Sequence, residues 1–256
     1  MILSDRKILE AIEKGGYDHF MLKEIFEAPE VIENTIRGRL LPEKGRAKLG
    51  GLEPVVRDLA ALHRLTIVGC GSAYYAGQVG RSMLEEYAGL PVEVELASEY
   101  RYQRNLPDQK SAVLAVTQSG ETADTLASVR AAKELGLMTL GVVNVVGSTI
   151  ARETDAGVYN HAGPEVAVAS TKAFLSQLTV FALLTLLIGR EKGMKPAEGT
   201  QIANELIALP GTLAKFLEDT TKIQAIATRY AGMRDAMFIG RTFHTPIAYE
   251  GSLKLK

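Results

Sequence analysis

The run Leu65-Thr66-Ile67-Val68-Gly69-Cys70-Gly71-Ser72-Ala73 decides the fold. Four residues make a short apolar strand. Glycines at 69 and 71 then turn the chain, and a helix-like stretch follows from Ala73 to about Tyr87. Outward from this unit the pattern repeats. Strands are predicted at Val92–Leu96, Ser111–Val116 and Met138–Val143, with a fifth at Gly157–Tyr159. A helix is predicted from Thr122 to Leu135. Strands alternating with helices of this length indicate βαβ units, hence an α/β fold with a parallel sheet flanked by helices (Rossmann-like or flavodoxin-like).

Residues 1 to about 45 are charged, are interrupted by Gly15-Gly16 and Pro29, and predict a helix or two and a linker. From about Ser170 to Tyr230 the chain reads as helical, broken near Gly189 to Lys195. Ala236–Arg241 then predicts a strand, and Pro246–Lys256 a helix. This echo of the 65–76 unit implies a second α/β domain of which one strand is present. A lone parallel strand leaves backbone groups without neighbours, so the chain is expected to stop inside that domain. The expected division is residues 1–45, a first domain at 46–195 and an incomplete second domain at 196–256.

Composition narrows the function classes. Lys plus Arg (29) nearly balances Asp plus Glu (30), which argues against a nucleic-acid binder held by phosphate contacts. A single cysteine, Cys70, precludes an intrachain disulfide or a cysteine-based zinc site and fits a reducing compartment. The four histidines show no HExxH spacing, so no metal is expected. Residues 1–7 lack the features of a signal peptide. The apolar stretch Phe174–Ile188 carries Ser176, Gln177, Thr179 and Thr185 and is shorter than about 18 residues, so it predicts a buried helix and no membrane partner.

Three loops could carry chemistry. Gly69-Cys70-Gly71-Ser72-Ala73 matches a dinucleotide fingerprint only in part, because Tyr74 stands where the third glycine would fall; a dinucleotide oxidoreductase is therefore disfavoured. The turn still presents N–H groups to an anion or sugar, or is a plain tight turn. Thr117-Gln118-Ser119-Gly120-Glu121-Thr122 crowds four uncharged polar side chains and a glycine at a helix start. Hydroxyls, free N–H groups and the helix dipole favour a phosphate there. With no lysine in the loop, one phosphate monoester fits better than a nucleotide triphosphate. The competing reading is a capping segment, with Ser119 capping and Thr122 solvated. Gly163–Lys172 is a small-residue loop with Ser170 or Thr171 at an N-cap position, and alone it also reads as loop plus cap.

Together these segments resemble the sugar-isomerase (SIS) domain, and more closely the isomerase half of the glutamine–fructose-6-phosphate aminotransferase family. The motifs carrying the resemblance are Cys70–Ala76, Ser119–Thr125, Ala162–Glu165 with Val168–Ala173, and Glu250–Lys256, in that order. His19–Ile25 resembles the segment joining that family's glutaminase half to its isomerase half. The resemblance implies two SIS domains, a cytoplasmic homodimer and no cofactor. Its activity would be to form glucosamine 6-phosphate from fructose 6-phosphate and glutamine. It places a phosphate cradle at Thr117, Gln118, Ser119 and Thr122, and sugar contacts at Gly71, Ser72, Val168, Ala169 and Ser170. Lys254 matches a lysine near the sugar's reacting end. Thr117 keeps the hydroxyl of a usual serine, whereas Ala73 replaces a serine found in many members.

The family's glutaminase cysteine, general-base glutamate, ring-opening histidine and C-terminal lysine are not among these 256 residues. Glu121, Glu165 and Glu250 are the nearest carboxylates. The first two read as helix-start residues and the third as part of a helix face, so the chain alone is expected to bind phosphosugar without turning it over. The alternative function is a noncatalytic phosphosugar sensor module. Regulators of that type usually carry a basic helix-turn-helix, and residues 1–45 show none.

Overall fold

The computed structural model describes residues 13–103 and 110–256. Residues 1–12, part of the expected N-terminal segment, lie outside that description. The first described helices are α1 (Phe20–Phe26) and α2 (Ala28–Ile36). A two-stranded antiparallel ribbon follows, β1 (Leu40–Leu41) and β2 (Arg46–Ala47). Short helix α3 (Val56–Ala61) leads into the main sheet.

That sheet has five parallel strands: β3 (Arg64–Gly69), β4 (Val92–Leu96), β5 (Ser111–Thr117), β6 (Met138–Val143) and β7 (Ala156–Tyr159). Their spatial order is β4-β3-β5-β6-β7. All five stand where the sequence places them. The connecting helices are α4 (Ser72–Ala88), α5 (Ala97–Tyr100), α6 (Ala123–Glu134) and α7 (Thr149–Glu153).

The central strands are apolar throughout because both faces are covered. Leu65, Ile67, Ala112, Leu114, Val116, Leu140 and Val142 point to one side. There they meet Ala76 and Leu84 of α4, and Val180 and Phe181 of α8 (Lys172–Lys192). Val68, Val113, Ala115 and Val143 point to the other side, against Ala97, Val129, Ala132 and Ile150 of α5, α6 and α7. The strict alternation follows from the two-residue period of a strand.

Helix α8 is the one helix among the described residues long and apolar enough to cross a membrane, with a mean hydropathy of 1.7. In this fold 78% of its apolar window is buried inside the protein, as expected of a core helix. It is packed between α4 and α2. The break expected near 189–195 is a left-handed Gly193 followed by α9 (Pro196–Leu217), which opens on a proline. Helix α10 spans Thr221–Tyr230 and α11 His244–Leu255.

The N-terminal segment holds the two helices expected of it; Ala28, Val31, Ile32 and Ile36 of α2 are buried, and α2 packs on α8 and α9. One expectation changes. Ala236–Arg241 forms no strand, and Met237 and Ile239 are exposed. No described strand lies alongside to complete its backbone hydrogen bonds, and an apolar run alone does not make a strand.

Candidate functional site

Within the parallel sheet the chain order is the second strand, then the first, third, fourth and fifth, and direction of growth reverses between β3 and β5. Val68 pairs with Ala115, so both strands end at the same edge. Helix α4 leaves β3 for one face, and α6 leaves β5 for the other. The two loops flank the crevice that such a reversal opens, where ligands of open α/β sheets sit.

In the first loop Gly71 has φ 57°, a value glycine adopts without steric cost. It sets the start of α4 at Ser72. Tyr74 does not keep α4 off the sheet. Close approach falls one turn later, where a Cβ on Gly77 would lie 2.8 Å from the Ile67 side chain. Ser72 Oγ accepts a 2.9 Å hydrogen bond from Lys254 Nζ of α11. Lys254 in turn pairs with Glu250 at 2.8 Å. Glu250 is 5% exposed, and neither of its oxygens has a well-aligned hydrogen bond. Tyr249 stacks on Tyr75 of α4 with centroids 5.7 Å apart, which holds α11 over the loop. Glu250 therefore turns into the site, whereas the sequence places it on a helix face. Its i, i+4 spacing to Lys254 was the available signal.

In the second loop Thr117 Oγ1 and Thr122 Oγ1 lie 3.1 Å apart. Gly120 N donates to Thr117 Oγ1, and Glu121 N donates to Ser119 Oγ, both at 3.2 Å. The hydroxyls thus converge on the start of α6. Thr122 is the N-cap, yet its side chain makes no capping bond, so the helix start keeps donors free for an anion. The competing reading had Ser119 capping and Thr122 solvated; Ser119 Oγ bonds to Glu121 N, ahead of the helix, and Thr122 is half-buried. Gly120 has φ 70°, and a Cβ there would overlap Ser148. Glu121 turns away from the loop and accepts from Thr149 N at 2.7 Å. That bond holds its carboxyl below the usual range.

The third loop is joined to the second through Asn144. Asn144 N donates to Gln118 O at 3.2 Å, while its side chain donates to Gly163 O and accepts from Ala162 N. Thr171 is the N-cap of α8, but Glu165 does the capping, accepting from Thr171 N at 2.8 Å and Ala173 N at 3.1 Å. Val168 is fully exposed; Ala169 and Ser170 are half-buried. Among the described residues no hydrogen bond ties Val168–Ser170 directly to Ser72 or to the 117–122 loop. Cys70 is a free, half-buried thiol in the first loop. Among the described residues no group of three or more His, Cys, Asp or Glu side chains is placed to hold a metal ion.

A parallel sheet in this order, with hydroxyl-rich loops at its reversal point, defines a class that sequence comparison identifies. Residues 58–187 match the SIS domain model, and the chain belongs to the SIS-domain family. The particular relatives are glutamine–fructose-6-phosphate aminotransferases (isomerizing). That of Chlorobaculum tepidum is 47% identical over 248 residues, and that of Thermus thermophilus 45% over 249; each match covers 97% of this chain. The chain spans about 40% of the length of these curated relatives. Among solved structures, it is similar to the C-terminal domain of glucosamine–fructose-6-phosphate aminotransferase from Francisella tularensis. The TM-score is 0.90 at 36% identity, covering 95% of this chain and 69% of that one.

Proposed function

We propose that this chain is the phosphosugar-binding part of the isomerase half of a glutamine–fructose-6-phosphate aminotransferase, the enzyme that forms glucosamine 6-phosphate. The observation that carries the reading is the start of α6. Three hydroxyls, from Thr117, Ser119 and Thr122, converge on an N-terminus without a side-chain cap, at the reversal point of the sheet. The proposal takes Thr117, Gln118, Ser119 and Thr122 as the phosphate contacts. It takes Gly71, Ser72 and Val168–Ser170 as the sugar contacts, with Lys254 near the reacting carbons. Fructose 6-phosphate and glucosamine 6-phosphate are the proposed ligands, in the cytoplasm. The names of the relatives support fructose 6-phosphate, and the absence of a lysine from the cradle suits a phosphate monoester.

Glu121, Glu165 and Glu250 are engaged by Thr149, the α8 start and Lys254 respectively. The proposal takes none of them as the base, and takes the 256-residue chain to bind the sugar phosphate without isomerising it. The working unit is proposed to be a homodimer, with boundaries near residues 45 and 195 separating its parts. Calorimetry with glucosamine 6-phosphate on Ser119→Ala and Thr122→Ala tests the cradle. Each lost hydrogen bond to a charged phosphate costs about 1.5–3 kcal/mol, so affinity should fall at least tenfold. Unchanged affinity in both variants would return these residues to a structural role.

A further inference from the structure

Helix α1 belongs to a segment ahead of the sheet, yet two of its end residues reach the third loop. Glu24 lies on α1 and is 2% exposed. Its Oε1 accepts two backbone N–H groups, from Val166 at 2.6 Å and Ala167 at 3.1 Å. Those residues immediately precede Val168–Ser170. Three residues after Glu24, Glu27 closes α1 and pairs with Lys172 Nζ at 2.6 Å. Lys172 is 3% exposed and opens α8 directly after the loop. One helical turn therefore grips the loop at both ends: a carboxylate on its backbone before Val168, and an ion pair on the residue after Thr171.

The span between the two grips has no regular secondary structure, and the bond from Thr171 N to Glu165 ties down its far end, not Val168–Ser170. Val168 makes no packing of its own, being fully exposed. Two charge-assisted bonds to one buried oxygen are a strong local constraint. The neighbouring carboxylate Glu165 does different work, since its bonds go forward to the α8 start.

We propose that Glu24 is a positioning residue of the sugar site, which sets the backbone of Val168–Ser170 by holding the amides just before it. The proposal rests on the phosphosugar reading above, and places the specificity for the sugar under the control of α1 while the phosphate cradle is independent of it. The test is calorimetry on the 256-residue chain and its Glu24→Ala and Glu24→Gln variants, with inorganic phosphate and glucosamine 6-phosphate as separate probes. Glu24→Ala should bind inorganic phosphate as the parent does and glucosamine 6-phosphate about tenfold more weakly. Glu24→Gln keeps an acceptor oxygen and should recover most of the loss.

Equal weakening of both ligands in Glu24→Ala, or unchanged binding of both, overturns the proposal. Should Glu24→Ala fail to fold, amide exchange in the parent and in Glu24→Gln decides. Val166 and Ala167 must be protected in the parent and exchange faster in Glu24→Gln; exposed-loop rates in the parent overturn it. A parent chain that binds neither probe overturns the phosphosugar reading itself. Binding by the parent with unaffected variants overturns only the role of Glu24.

Discussion

Lys254 Nζ donates to Ser72 Oγ at 2.9 Å, joining the last helix to the first loop of the sheet across 182 residues. The same ammonium lies 2.8 Å from the buried Glu250 carboxylate. Removing one partner of such a pair leaves a charge with little water, whereas removing both for apolar side chains does not. Lys254→Met should therefore destabilise the fold by about 2–3 kcal/mol in urea melts, below the usual range for a fully buried pair because the lysine is partly exposed. Glu250→Met combined with Lys254→Met should cost at least ~1 kcal/mol less than the sum of the single changes. Strict additivity would mean the pair contributes no coupling.

Gly80 of α4 faces the Phe181 ring of α8, and a Cβ there would overlap the ring. Alanine gains about 1 kcal/mol of helix propensity over glycine. Overpacking a fixed ring costs about 1–3 kcal/mol, so the clash should win. Gly80→Ala should lower thermal stability by a net of up to ~2 kcal/mol. Adding Phe181→Leu, which makes room, should show a coupling of opposite sign. A stabilised Gly80→Ala would show that α4 and α8 separate easily.

These contacts mark what the sequence could and could not disclose. The central strands were legible because burial on both faces makes them continuous apolar runs ended by glycine or polar turns. The alternating Val92-Glu93-Val94-Glu95-Leu96 was legible as a strand by its period, and its edge position is a finding of the structure. The ribbon at Leu40–Leu41 and Arg46–Ala47 was not, since two residues cannot display a period, and α5 and α7 were too short for the same reason. Loops at 69–72 and 117–122 stood out because each follows a strand and crowds small polar residues. The ties that shape the site were hidden. Glu24 bonds to backbone amides, which carry no sequence signature, and the meeting of Lys254 with Ser72 depends on the whole path of the chain between them. Ala236–Arg241 shows the converse, an apolar run without neighbours that stays irregular.

Gly120 should be the least replaceable residue of the 117–122 loop. Its φ of 70° costs a residue with a Cβ about 1–2 kcal/mol, and the Cβ would also overlap Ser148. The bond from Gly120 N to Thr117 Oγ1 would be displaced with it. Gly120→Ala should weaken inorganic phosphate binding at least tenfold in calorimetry while the chain remains folded by circular dichroism. Adding Ser148→Gly removes the overlap and leaves the backbone strain, so it should restore only part of the affinity. Full phosphate affinity in Gly120→Ala would place the anion elsewhere.

Asp155 supplies a pH test of the sheet that is independent of ligand. Burial pushes its carboxyl up, but the Thr139 N–H and hydroxyl, each donating at 2.8 Å, and the nearby Lys133 outweigh that and hold it below the ordinary 3.8. With the folded value depressed, the native chain binds fewer protons than the unfolded chain in the window beneath 3.8. Stability from this group is therefore present above that pH and lost as pH falls through the lower, folded value. Asp155→Asn keeps an acceptor but has nothing to titrate. At about pH 5 it should be less stable than the parent by roughly 1 kcal/mol, the usual value of a charged hydrogen bond reduced for the group's exposure. The gap should narrow as the pH falls below 3.8 and through the lower, folded value, where the parent carboxyl takes up its proton in the folded state as well. Glu121 and Glu153 are also held low, the first by Thr149 and the second by Arg130, and both titrate in each protein, so they cancel in the difference. Urea melts of the two proteins across this range measure it. A gap that stays constant with pH would show that the Asp155 charge contributes nothing, and that its bonds to Thr139 act through geometry alone.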